Sequence, residues 1–172
     1  MILDVTDIPH NKLKNIPTSH YKDNRENTLK LLREKLSAHD YFTGKGVVFV
    51  KGHTQYFNNN DDDATSNWRP EPNFLYLFGF RDVFGLYGLI DIETGEAIVS
   101  VPRQSDGDKI FHTSLSVDSD PSKYGVDKFM YNDDLETYLH EKKPEVVCLY
   151  DGRNRFDVDT HKPRFEWLSK HK

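Results

Sequence analysis

The chain has a single cysteine, Cys148, among 172 residues. One thiol excludes an intrachain disulfide framework and a multi-cysteine zinc site. Long hydrophobic runs are missing too. The longest are short pieces such as Val47–Val50 and Val146–Tyr150, far below the ~20 residues of a membrane-spanning helix. The opening Met1-Ile2-Leu3-Asp4 has neither the basic nor the apolar part of a secretory signal, so a reducing cytoplasm is the expected compartment. Nor is there an excess of positive charge: 23 Lys and Arg stand against 28 Asp and Glu, for a net charge of −5. A nucleic-acid binder normally carries a basic footprint, so neither nucleic acid nor a membrane is an expected partner.

What the chain does have is aromatic residues: 2 Trp, 9 Tyr and 11 Phe, within a mean hydropathy of −0.74. Each buries a large area. With 172 residues this composition describes one folded domain rather than a disordered segment. Asn58–Asp63, three asparagines then three aspartates, is the one low-complexity stretch. Its acids lack the spaced oxygens, central glycine and distal glutamate of a calcium loop, and a solvated loop tip is the better expectation.

Leu29, Leu32 and Leu36 recur at helical spacing, with Lys30, Arg33 and Lys35 turned outward. The expected helix runs from about Ser19 to Ala38, with Asp23-x-x-Glu26 supplying a capping box or acids for its start. Val47–Val50 reads as a buried strand ending at Gly52. Pro70 and Pro72 open a short helix over Phe74–Phe78, and Gly79 suits its left-handed exit. Leu86–Ile92 and Glu96–Val101 are strands joined through Glu93-Thr94-Gly95. Both are apolar on both faces, which calls for layers above and below the sheet. Gln104–Thr113 reads as a short helix. Asp133-x-x-Glu136 is expected to open the last helix, ending near Lys142-Lys143-Pro144, before a buried strand over Glu145–Tyr150. Helices alternating with buried strands give an α/β domain with a mixed sheet flanked by helices.

Candidate chemistry is sparse. The eight histidines never form His-x-x-x-His or His-Glu-x-x-His, and no Gly-x-Ser-x-Gly elbow occurs. Asp91, Asp133, Asp134 and Asp151 fall at strand ends or a helix start, the places from which a two-metal nuclease gathers its acids. Each also has a local explanation, as a turn or a helix cap.

Four ordered pieces carry a family resemblance. The run Arg69-Pro70-Glu71-Pro72-Asn73-Phe74-Leu75-Tyr76-Leu77-Phe78-Gly79 resembles the signature of the N-terminal domain of the aminopeptidase P and prolidase (Xaa-Pro dipeptidase) metallopeptidases. Tyr87-Gly88-Leu89-Ile90-Asp91-Ile92-Glu93-Thr94-Gly95 and Val101-Pro102-Arg103 follow in the family's order. Asn24-Arg25 and Tyr124-Gly125-Val126-Asp127 match further. The resemblance covers about Ile16 to Tyr150, with Pro72 where the family usually has Ser and Val83 in place of a frequent Pro.

It implies a creatinase-type N-terminal domain, with a ribonuclease H-like motif, over residues 1–151. Residues 152–172 would form a tail or linker toward a pita-bread catalytic domain. The two Asp, one His and two Glu that hold two divalent metal ions, usually manganese, belong to that catalytic domain, and they are not in this sequence. The resemblance therefore implies a non-catalytic domain that helps build a homodimer and walls the partner's active site against all but short Xaa-Pro peptides. A free-standing binding or regulatory module is the alternative, and a two-metal nuclease the remaining one. By the same resemblance, Phe111 matches the position of a tryptophan that reaches toward the neighbour's substrate pocket. It otherwise anchors a short helix beside Ile110 and Leu115. Arg69 and Glu71 are expected to pair or cap, and Phe74, Tyr76 and Phe78 to lie in the core. Gly79, Gly88 and Gly95 are expected to serve turns or close packing. Pro102 belongs to the motif, and Arg103 is expected to form a structural ion pair.

Overall fold

The computed structural model describes residues 16–52, 71–81, 83, 85–103 and 115–149. Helix α1 spans Thr18–Leu36, one residue earlier at its start and two shorter at its end than its apolar spacing suggests. Pro17 occupies the cap with an extended backbone and offers its carbonyl to the His20 N–H at 3.0 Å. The helix thus opens one turn before Asp23, which with Glu26 lies exposed inside it, so no capping box forms there. Proline's fixed φ outweighs the acidic signal downstream.

Strands β1 (Gly46–Lys51), β2 (Tyr87–Asp91) and β3 (Ala97–Val101) form an antiparallel meander. Strand β4 (Lys128–Tyr131) adds parallel to β3, and β5 (Val146–Leu149) parallel to β1. The order across the sheet is β4-β3-β2-β1-β5. Two parallel additions need crossovers, and helix α3 (Leu135–Lys142) supplies the one from β4 to β5. A 3₁₀ turn over Asn132–Asp134 leads into α3, and neither Asp133 nor Asp134 caps it through its side chain.

Side chains alternate across the strands, so each apolar strand serves two cores. One face gathers Val48, Val50, Ile90, Val99, Val101 and Phe129 beneath Leu29 of α1 and Phe74, Leu77 and Phe78 of helix α2 (Pro72–Phe78). The other gathers Val47, Phe49, Leu89, Ile98 and Met130 beneath Leu135 and Leu139 of α3. The molecule is a mixed five-stranded sheet between helical layers. β5 is half-buried rather than buried, because its position in the sheet order gives it β1 as a neighbour on one side. The short helix expected over Gln104–Thr113 lies outside the described residues.

Candidate functional site

The signature segments meet where α1, α2 and the β2–β3 hairpin converge. Glu71 is the N-cap of α2: Oε2 accepts the Phe74 N–H at 2.6 Å and Oε1 accepts Asn73 Nδ2 at 2.9 Å. A carboxylate there satisfies an orphan donor and sits at the positive end of the helix. Pro72 takes the first helical position and Gly79 closes the helix at φ 77°, its N–H donating to Leu75 O. A side chain on Gly79 would also collide with the Tyr21 ring. Gly88 serves the same segment from the sheet: the Phe78 ring lies where its Cβ would be. Phe74 stacks on Phe78 with 5.1 Å between centroids, and both are core residues. Tyr76 is not. It is 50% exposed, because a two-turn helix packed on one side must turn one of five consecutive apolar residues outward.

The exit of α2 is clamped by α1. Asn24 Nδ2 donates to Tyr76 O at 2.8 Å, and Arg25 Nη1 donates to Leu77 O at 2.7 Å. Arg25 Nη2 reaches Gly125 O, in the Tyr124–Asp127 segment, and the guanidinium lies 5.7 Å from the Phe78 centroid. Two side chains thus satisfy carbonyls at the negative end of α2 and tie three signature pieces together. Burial lowers the Arg25 pKa, against the opposing charges of Asp127 and Glu26. An arginine remains charged even so. Arg33 is exposed, as its helical position suggests, and from there Nε donates to Ile92 O at 2.6 Å and Nη2 to Glu93 O at 3.1 Å, holding the hairpin turn.

That turn is built on Asp91. Its Oδ1 accepts the N–H groups of Glu93 and Thr94 at 2.8 and 3.0 Å, and Gly95 completes it at φ 82°. Oδ2 faces the Lys142 ammonium from the last turn of α3. Burial pushes the Asp91 carboxyl up, but Lys142 and the two N–H groups outweigh it and leave the pKa below the ordinary carboxylate value. Burial raises the neighbouring Tyr138 hydroxyl. It raises the Cys148 thiol as well, leaving that half-buried cysteine poorly reactive.

Arg103 forms an ion pair with Asp133, its Nε 2.8 Å from Oδ2. Its guanidinium covers the Tyr131 ring at 3.9 Å. Behind it, Ser100 Oγ donates to Asn132 Oδ1 at 2.7 Å, and Asn132 Nδ2 donates to Gly85 O at 2.9 Å. Pro102 is half-buried beside them. Arg69 and Phe111 lie outside the described residues, as do Tyr150 and Asp151.

Among the described residues the donor set does not fit a metal centre. Asp91 belongs to its turn and to Lys142, Asp133 to Arg103, Glu71 to a helix cap, and Asp127 Oδ2 to the Ala97 N–H at 2.7 Å. Among the described residues no three of His, Cys, Asp or Glu gather as metal ligands would. Of the acids that suggest a nuclease, the described ones, Asp91, Asp133 and Asp134, do not gather into such a cluster. The helix clamps and the ion pair of Asp91 were not assigned from sequence. The signal for the first was present: polar Asn24 and Arg25 fall on the buried stripe of α1 defined by Leu29 and Leu32.

The family model of the aminopeptidase P N-terminal domain matches residues 21–148. Mouse Xaa-Pro dipeptidase is 30% identical over 110 residues, which cover 63% of this chain and 22% of that protein. Human Xaa-Pro dipeptidase is 28% identical over 146 residues, covering 84% and 28%. The fold matches a single-residue variant of Escherichia coli aminopeptidase P with a TM-score of 0.64 at 14% identity, over 83% of this chain and 31% of that one. It matches Pseudomonas aeruginosa aminopeptidase PepP with 0.61 at 18%, over 81% and 30%. The chain thus spans between about a fifth and a third of the length of the relatives it matches. With the model covering most of its length, the chain belongs to the aminopeptidase P N-terminal domain family.

Proposed function

We propose that this chain is the non-catalytic N-terminal domain of a prolidase-like Xaa-Pro metallopeptidase. The match of residues 21–148 to the N-terminal domain of that family carries the proposal. The side chains support it, since the carboxylates of the signature segments hold turns, caps and lysine or arginine partners instead of a reacting centre. Residues 1–151 form the domain, and 152–172 the tail or linker toward a pita-bread catalytic domain. In the full-length parent the domain contributes to a homodimer and walls the partner's active site, narrowing it to short Xaa-Pro peptides in the cytoplasm. Two divalent ions, manganese by the family resemblance, would polarise the scissile carbonyl and activate water in the catalytic domain. Among the described residues of this chain no three of His, Cys, Asp or Glu gather as a metal site would require.

The purified 172-residue chain, given Xaa-Pro dipeptides and added manganese, is expected to show no turnover above the blank. Turnover that a chelator abolishes would overturn the non-catalytic assignment.

Phe111 is the residue proposed to act across the dimer. A planar ring there covers the proline of a bound peptide and excludes water. In a full-length parent, Phe111→Ala is expected to raise KM for Xaa-Pro dipeptides with the thermal midpoint nearly unchanged. A large fall in stability with unaltered kinetics would instead make Phe111 a core residue.

A further inference from the structure

We draw no further inference here: the strongest candidate, the open groove of about 810 Å³ along α1 between the β2–β3 turn and residues 125–127, is lined by balanced charges of which Arg25, Arg33 and Asp127 already hold backbone groups of the fold, and nothing in the structure shows what occupies it.

Discussion

The two faces of the sheet anchor their helices by different electrostatics. On the α1–α2 face, Arg25 and Arg33 donate to carbonyl oxygens at the end of α2, at Gly125 and in the hairpin turn. On the α3 face, Lys142 meets the carboxylate of Asp91. A carbonyl dipole has no ionisation state, so the first set of contacts is indifferent to pH over the range in which arginine stays charged. The second titrates. One domain therefore carries a helix pair clamped by arginines on carbonyl oxygens and a single short helix whose ion pair to the sheet titrates. The burial beneath them differs as well, since α3 contributes Leu135 and Leu139 where α1 and α2 contribute Leu29, Phe74, Leu77 and Phe78.

The strongest way to break this contrast is at Arg25. Arg25→Ala leaves Leu77 O and Gly125 O without their donor and opens space against Phe78. Each unsatisfied buried acceptor costs ~1–3 kcal/mol, so a loss of about 3 kcal/mol in urea unfolding is expected. Arg25→Lys should recover little, because one ammonium on a flexible stem replaces a planar fork serving two carbonyls. The loss should be the same at pH 5 and pH 8. A strongly pH-dependent loss would show that Asp127 or Glu26, and not the carbonyls, is the true partner of Arg25.

The opposite face sharpens the comparison through Asp91. Its folded pKa lies below the unfolded value. Its contribution is therefore fully present above the ordinary carboxylate pKa and is lost as pH falls through the lower, folded one. Lys142 titrates at the other end: its hydrogen bond to Asp91 raises its pKa, so its contribution is present below the ordinary lysine value and lost as pH rises through the folded one. Asp91→Asn keeps a turn acceptor but removes the charge, and is expected to cost about 2 kcal/mol near neutrality. The acid limb of the stability–pH curve should flatten in that variant. It will not vanish, because Glu145 is also held low by Thr43, and Asp120 by Ser122. An unchanged acid limb would mean that Asp91 is not the group that titrates with folding.

How far the sequence discloses these contacts depends on their range. The Asp91–Gly95 turn and the Glu71-to-Gly79 helix are legible because donor and acceptor lie within a few residues, where cap and turn chemistry acts. Partners separated by the sheet order are not. Arg103 meets Asp133 only because β4 lies parallel beside β3, and Lys142 meets Asp91 only because α3 crosses the other face. Local signals also mislead where a stronger one stands nearby, as Pro17 does for Asp23 and Glu26. Tyr76 shows a further limit. Five consecutive apolar residues carry no periodicity, so nothing local separates the exposed ring from its buried neighbours.

Arg103 gives the smallest expected effect and tests whether an ion pair in a signature segment matters because of its charge. Its side chain is 59% exposed and that of Asp133 70%, so water screens the pair and the charge contributes under ~1 kcal/mol. The guanidinium also lies over the Tyr131 ring at 3.9 Å, a contact of ~0.5–1 kcal/mol at an exposed site that lysine reproduces poorly. Arg103→Ala should therefore lower stability by about 1 kcal/mol, within an upper bound of about 2. Arg103→Lys should recover only part of that at low salt, and nothing at 1 M salt, where a Debye length of ~3 Å screens the exposed pair. Denaturant titration of the three proteins at two salt concentrations separates the contributions. If Arg103→Lys matched the original protein at both, stacking on Tyr131 would carry no weight; a loss above ~2 kcal/mol on Arg103→Ala would exceed any exposed pair and place Arg103 with Arg25 among the residues that hold the fold.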